Sequence, residues 1–179
     1  SDTDNQPVLV RSHLGTYAIV TVGVVRNAGE LLEKSLHEQR VHFAEMNGPE
    51  PNMTELVAAL INRSASFAEG IADMWNLIEG SCSLAILTAE GIYVARDRWG
   101  RTPVIIGFKP GACAATQETC AFPNLGYTET KDLGPGEVVL MTADGVETVK
   151  PPDEGMQICA FLWVYYGYPA SSYEGINVE

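Results

Sequence analysis

Between Pro7 and Val25 the chain consists almost wholly of residues that suit extended backbone, VLVR and then TYAIVTVGVV, broken at Gly15. β-Branched side chains crowd a helical turn but pack well on a pleated surface, so this stretch predicts two strands in a buried sheet. The period then changes. Asn27 followed by Glu30 forms a capping-box pattern, and Leu31, Leu32 and Leu36 recur at helical spacing, which predicts a helix from about Ala28 to Gln39. After the turn-rich NGPEPN, Asn47 to Asn52, the pair Asn52 and Glu55 repeats the capping logic ahead of Leu56, Leu60 and Ile61. A further helix is expected over Phe67 to Ile78, with Ile71, Trp75 and Ile78 inward and Gly80 closing it. Beyond Gly80 the pattern becomes short strands separated by turn residues: CSLAILTA, IYVAR, PVIIGF and ACAAT, then EVVLMT and VETVK joined by Ala143-Asp144-Gly145. Helices held between an early strand pair and a later strand set point to an α+β layered domain.

The 179 residues suit one well-cored domain, and 46% apolar content supports a globular core. The net charge of −12 makes the average surface repel phosphate backbones, so nucleic acid is a poor partner. No uninterrupted apolar run approaches the roughly 18 residues of a bilayer span, so no membrane role is expected. Cys82, Cys113, Cys120 and Cys159 lie far apart, without the short spacings that put two thiolates on one metal, and read as packed, reduced thiols. Ser1 to Gln6 are polar and show no signal-peptide pattern, which suggests a cytoplasmic protein. Paired prolines, Pro151-Pro152, favour extended backbone and mark a boundary after residue 150.

The segment ARDRWGRTPVIIG, Ala95 to Gly107, sets a charged, tightly turned loop of Arg96, Asp97, Gly100, Arg101 and Pro103 between apolar runs. This loop joins three other blocks in fixed order: Gln6-Pro7, Arg11-Ser12, Gly15, Ala18, Gly23 and Asn27; then Thr54-Glu55-Leu56; then Glu118, Cys120-Ala121 and Pro135-Gly136-Glu137. Together they resemble the glutaminase half of the amidophosphoribosyltransferases. The resemblance implies an N-terminal-nucleophile hydrolase-like αββα sandwich of four layers, present in part. It also implies a class II glutamine amidotransferase-like domain over 1–150, lacking its N-terminal segment, and a bridge over 151–179 toward an absent phosphoribosyltransferase domain. Full family members transfer ammonia from glutamine to phosphoribosyl pyrophosphate in purine nucleotide biosynthesis. The partners so implied are the missing N-terminal segment, the phosphoribosyltransferase half and, in the parent protein, further copies in a homo-oligomer. No cofactor is expected in this fragment; magnesium is implied for the absent half.

Departures from the family pattern fall where its chemistry belongs. In the family, the asparagine of a His-Asn-Gly-Asn turn donates to the oxyanion of the tetrahedral intermediate, helped by the glycine amide. Here those four positions read Thr21, Val22, Gly23 and Val24. Val22 has no side-chain donor, which leaves the Gly23 backbone amide as a possible remnant, and losing one such donor costs on the order of 100-fold or more in turnover. The aspartate that would hold the substrate's α-ammonium falls on Met53. The family's nucleophile is an N-terminal cysteine, whereas this sequence starts at Ser1 in a polar tail. The expectation is a degenerate glutamine site and no activity as a fragment, with no catalytic residue assigned. The alternative is a non-catalytic structural or regulatory module of the same fold.

The remaining chemistry-bearing residues take structural readings. Asp97 and Arg101 could tune each other's pKa but are read as an ion pair that holds the loop, which is scaffold in the family. Cys159 sits where some family members place one iron–sulfur ligand, yet a cluster needs four. His13, His37 and His42 have no metal-like spacing. Trp99 and the run from Trp163 to Tyr168 are read as packing aromatics.

Overall fold

The computed structural model describes residues 5–37 and 52–179, and the chain forms two compact units, residues 1–90 and 91–179. In the first unit, β1 (Val8–Ser12) and β2 (Gly15–Val25) make an antiparallel hairpin across His13-Leu14, and β2 pairs on its other edge with β3 (Gly80–Leu87). α1 (Ala28–His37), α2 (Met53–Ile61) and α3 (Phe67–Leu77) lie between β2 and β3 in sequence.

The alternation along β2 decides which side the helices cover. Tyr17, Ile19 and Val25 are buried, while Val20, Val22 and Val24 on the opposite face are exposed. Tyr17 meets the ring of Phe67 edge-on at 5.0 Å and donates its hydroxyl to Asn62 at 2.9 Å. Trp75 donates its indole N–H to the Cys82 carbonyl at 2.7 Å, so α3 is fastened to β3 through a fully buried polar contact. Ile71 and Trp75 are buried as the helical period required, whereas Ile78, expected within the helix and also buried, is the extended residue that follows its end at Leu77.

Two capping expectations met different fates. Asn52 caps α2: its side chain accepts from the Thr54 N–H at 2.9 Å and the Glu55 N–H at 3.4 Å. Asn27 does not use its side chain on α1. It donates to the Leu77 carbonyl at 3.0 Å and accepts from the Glu79 N–H at 2.8 Å, because the end of α3 returns beside it. The cap that starts α3 is Ser66, which accepts from the Glu69 N–H at 3.3 Å. α1 is described to His37; residues 38 and 39 of the expected helix and His42 lie outside the described residues. Gly80 opens β3 rather than closing a helix. Its φ of +146° and a Cβ position 1.8 Å from the Val24 carbonyl oxygen exclude any side chain there.

In the second unit, β4 (Ile92–Ala95), β8 (Val138–Thr142) and β9 (Gly145–Lys150) form one antiparallel set with β8 in the middle. β5 (Ile105–Lys109) is the centre of another, flanked by β6 (Ala112–Thr116) and β7 (Glu129–Asp132). The β8–β9 turn is Ala143-Asp144, with Thr142 opposite Gly145. β7, ETKD, carries no apolar periodicity and was invisible to it; pairing with the buried β5 makes it a strand. The short α4 (Ala121–Asn124) follows β6 and buries Phe122 against Gly107, where a Cβ would stand 2.3 Å from the ring.

Residues 151–179 pack on this second unit. The Asp153 N–H bonds the Pro135 carbonyl at 2.7 Å and the Gln157 N–H bonds that of Trp99 at 2.7 Å. A π-helical turn, Leu162–Tyr166, leads into the two-residue strands β10 (Ser172–Tyr173) and β11 (Ile176–Asn177).

Candidate functional site

Val22 and Met53, which sequence alone places far apart, sit beside a direct link between their elements. Thr21 on β2 and Thr54 in the first turn of α2 share a hydroxyl–hydroxyl hydrogen bond of 2.7 Å. Thr54 is buried, and the buried Asn52 also donates to the Asn5 carbonyl at 3.2 Å. The side chain of Gln6 extends the β1–β2 ladder ahead of the start of β1: it accepts from the Thr21 N–H at 2.6 Å and donates to the Thr21 carbonyl at 3.0 Å. Strand alternation turns the Val22 side chain away from α2, onto the exposed face of β2, at 42% exposure.

Gly23 has two properties. A Cβ there would stand 2.0 Å from the Ser81 carbonyl oxygen, so close strand approach alone demands glycine. The register also fixes the direction of its amide. The Arg26 N–H bonds the Glu79 carbonyl, and antiparallel pairs alternate between bonded and non-bonded, so Gly23 opposite Cys82 is a non-bonded pair. Its N–H therefore points to the β1 side of β2, the side where Gln6 serves Thr21. Chemically, the β2–α2 corner offers hydroxyl and carboxamide groups from Thr21, Thr54 and Gln6 beside the apolar Met53, while Val22 lies on the other face of β2.

The loop of Asp97, Gly100, Arg101 and Pro103 lies in the second unit and is held by its own backbone. The buried Asp97 carboxylate accepts from the Trp99 N–H at 3.2 Å and the Arg101 N–H at 2.6 Å, and its carbonyl accepts from Gly100 and Gly136. Gly100 has φ +66°, which suits glycine at this turn. The Arg101 guanidinium reaches Gln157 at 3.4 Å. Pro103 is buried. Carboxylate-to-amide bonds from Asp97 thus tie the loop.

Arg96, one residue earlier and placed by the sequence in the charged loop without a role of its own, is the organising group. It is fully buried and donates to the carbonyls of Leu133, Gly100 and Thr102 and to the Glu174 carboxylate. The signal in the sequence was a cation between the strand run IYVA and a charged turn. Nearby, Ser171 and Tyr173 both donate to the Glu118 carboxylate, and burial followed by that bond pushes the Tyr173 phenol well above its ordinary 10.0. Cys82 is buried, and Cys113, Cys120 and Cys159 are partly so, as free thiols. His13 lies against the Ser64 carbonyl at 2.8 Å.

The family model of the glutamine amidotransferase domain matches residues 1–123. The chain belongs to this family. This amidotransferase domain is 30% identical over 178 residues to the amidophosphoribosyltransferase of Bacillus subtilis, covering 97% of the chain and 36% of that relative. It is 26% identical over 189 residues to the amidophosphoribosyltransferase of Methanocaldococcus jannaschii, covering 97% and 40%. Among solved structures, the glutamine phosphoribosylpyrophosphate amidotransferase from B. subtilis complexed with ADP and GMP superposes with a TM-score of 0.82 at 28% identity, over 98% of this chain and 38% of that one. A class-II glutamine aminotransferase domain protein from Silicibacter pomeroyi shares the fold alone, at 12% identity and a TM-score of 0.53. The chain spans under half the length of these amidophosphoribosyltransferase relatives. The expected α+β fold of the N-terminal-nucleophile hydrolase type, present in part, is borne out. Among the described residues no helix is long and apolar enough to cross a membrane.

Proposed function

We propose that the chain is the glutaminase-type domain of an amidophosphoribosyltransferase-like protein of purine nucleotide biosynthesis, and that its glutamine site is degenerate. In this reading residues 1–150 form the amidotransferase-like domain, and 151–179 bridge to a phosphoribosyltransferase half that binds phosphoribosyl pyrophosphate with magnesium. The parent is a cytoplasmic homo-oligomer. No residue of this chain is assigned to the metal.

What supports the degenerate site is the chemistry of two positions, Val22 on β2 and Met53 at the start of α2, both apolar where the family resemblance places glutamine contacts. A carboxamide substrate needs a donor for its developing oxyanion and a carboxylate for its ammonium, and neither apolar residue supplies one. The Gly23 amide alone is the remnant donor. The exposed row Val20, Val22 and Val24 favours the second reading, a non-catalytic module that packs by this face.

The test is intact mass of the full-length protein with a glutamine-mimicking diazo-ketone that alkylates a glutaminase nucleophile. No adduct is expected. A stoichiometric adduct blocked by glutamine overturns the degenerate reading.

A further inference from the structure

The tip of the β10–β11 hairpin, Glu174-Gly175, is a two-residue turn closed by the pair Tyr173 and Ile176. Both of its residues have positive φ, +50° at Glu174 and +76° at Gly175. Turns of this type favour Asn, Asp or Gly at the first position, so a glutamate there sits in a strained backbone conformation that its surroundings must hold. The buried Arg96 holds it. Its Nη1 donates to the Glu174 carboxylate and to the Leu133 carbonyl, while Nε and Nη2 serve the Thr102 and Gly100 carbonyls.

A second carboxyl faces the same guanidinium. Asp132, the last residue of β7, lies in the field of both Glu174 and Arg96, and the N–H of Glu174 points to it together with its own. Its Oδ1 is buried and accepts no hydrogen bond among the described residues. Two carboxyl groups therefore compete for one guanidinium that three carbonyls already engage. The other charged groups nearby are directed elsewhere. Asp132 is opposite Ile105 on β5, whose charged residue, Lys109, stands at the far end against Leu125 and Tyr127. The adjoining Lys131 turns to Glu137, and the Glu118 carboxylate serves Ser171 and Tyr173. Burial, and then the Glu174 charge, raise the Asp132 carboxyl above its ordinary 3.8.

We propose that Asp132, Arg96 and Glu174 form a proton-dependent clasp on the β10–β11 tip, closed while Asp132 is protonated and opened as it ionises. Ionisation places a second negative charge beside Glu174 and leaves a buried carboxylate oxygen without a donor. Swinging Glu174 outward relieves both and releases its backbone from positive φ. The Glu174 side chain is already 28% exposed, so water reaches it without unfolding the unit. The base of the hairpin stays anchored, because Ser171 and Tyr173 are bonded to Glu118 and the Ser172 N–H to the Thr119 hydroxyl at 2.8 Å. The sign follows from linkage. A carboxyl that holds its proton more tightly in the closed state favours closure at low pH, and that contribution is lost as pH rises through the closed-state pKa.

The test is amide hydrogen exchange of the full-length protein at about pH 5 and about pH 8, corrected for the intrinsic pH dependence of exchange and read on the peptide spanning β10 and β11, with the β8–β9 hairpin as internal reference. The expected result is a corrected rate about 3- to 10-fold higher in β10–β11 at the higher pH, with β8–β9 unchanged. In Asp132→Asn the rise should vanish. Glu174→Gln keeps an acceptor for Arg96 without the second charge and should reduce the rise, which keeps the proposal testable if Asp132→Asn does not fold. No rise in the unsubstituted protein, an equal rise in both hairpins, or a rise that either substitution leaves undiminished overturns the clasp.

Discussion

The hydroxyls of Thr21 and Thr54 lie 2.7 Å apart and join the middle strand of the first unit to the first turn of α2. One donates and the other accepts, so neither β2 nor α2 can shift without leaving a part-buried hydroxyl unpaired. Thr54→Val is expected to lower stability by about 1 to 2 kcal/mol, and Thr21→Val by less. A double-mutant cycle in urea should return a coupling energy of about 0.5 to 1.5 kcal/mol. A coupling of zero would mean the two hydroxyls do not hold the elements together.

Arg96→Met should be among the most damaging single changes in the second unit. It removes the donors for the Leu133, Gly100 and Thr102 carbonyls and strands the Glu174 carboxylate. Breaking a buried charged network from one side costs about 3 to 5 kcal/mol. Arg96→Lys should recover little, because an ammonium cannot reproduce the planar fork. Thermal unfolding of the two variants checks both statements.

Asp132 gives the second unit a pH dependence of definite sign. Burial, and then the neighbouring Glu174 carboxylate, raise its carboxyl above the ordinary 3.8 against the opposing Arg96. Its Oδ1 is buried without a hydrogen-bond partner among the described residues. The folded state therefore holds this proton more tightly than the unfolded chain, and the stability it contributes is lost as pH rises through the folded pKa. Asp132→Asn should raise stability near about pH 7 by up to about 1 kcal/mol. The gain should vanish near about pH 3, where both states are protonated. A gain that persists unchanged in acid would rule out this origin.

Gly107→Ala should destabilise by about 1 to 3 kcal/mol, because the new methyl meets the Phe122 ring on β5's buried face. Phe122→Leu in the same chain should return part of the loss. Additive losses in a chemical-denaturation cycle would contradict the contact.

At the candidate site, Val22→Asn with Met53→Asp in the full-length protein should create measurable glutamine affinity if those two positions face the substrate. Calorimetry against glutamine reads it directly, and the unsubstituted protein should bind none.

The sequence by itself determined the elements whose period matches their burial. β2 reads as a strand because its β-branched run alternates between covered and open faces, and α2 and α3 read as helices because their apolar residues recur on one side. The blocks around Gly23, Thr54 and Asp97 also carried the family in their order. What only the tertiary structure decided involves partners distant in sequence. Asn27 spends its side chain on Leu77 and Glu79, β7 exists because β5 offers it an edge, and Arg96 binds Glu174 78 positions later. The Gly23 amide direction follows from the register with β3, and Val22 faces away from α2 because of strand parity. None of these carries a local period or propensity, since hydrogen-bonding groups are satisfied by whatever the fold brings within reach.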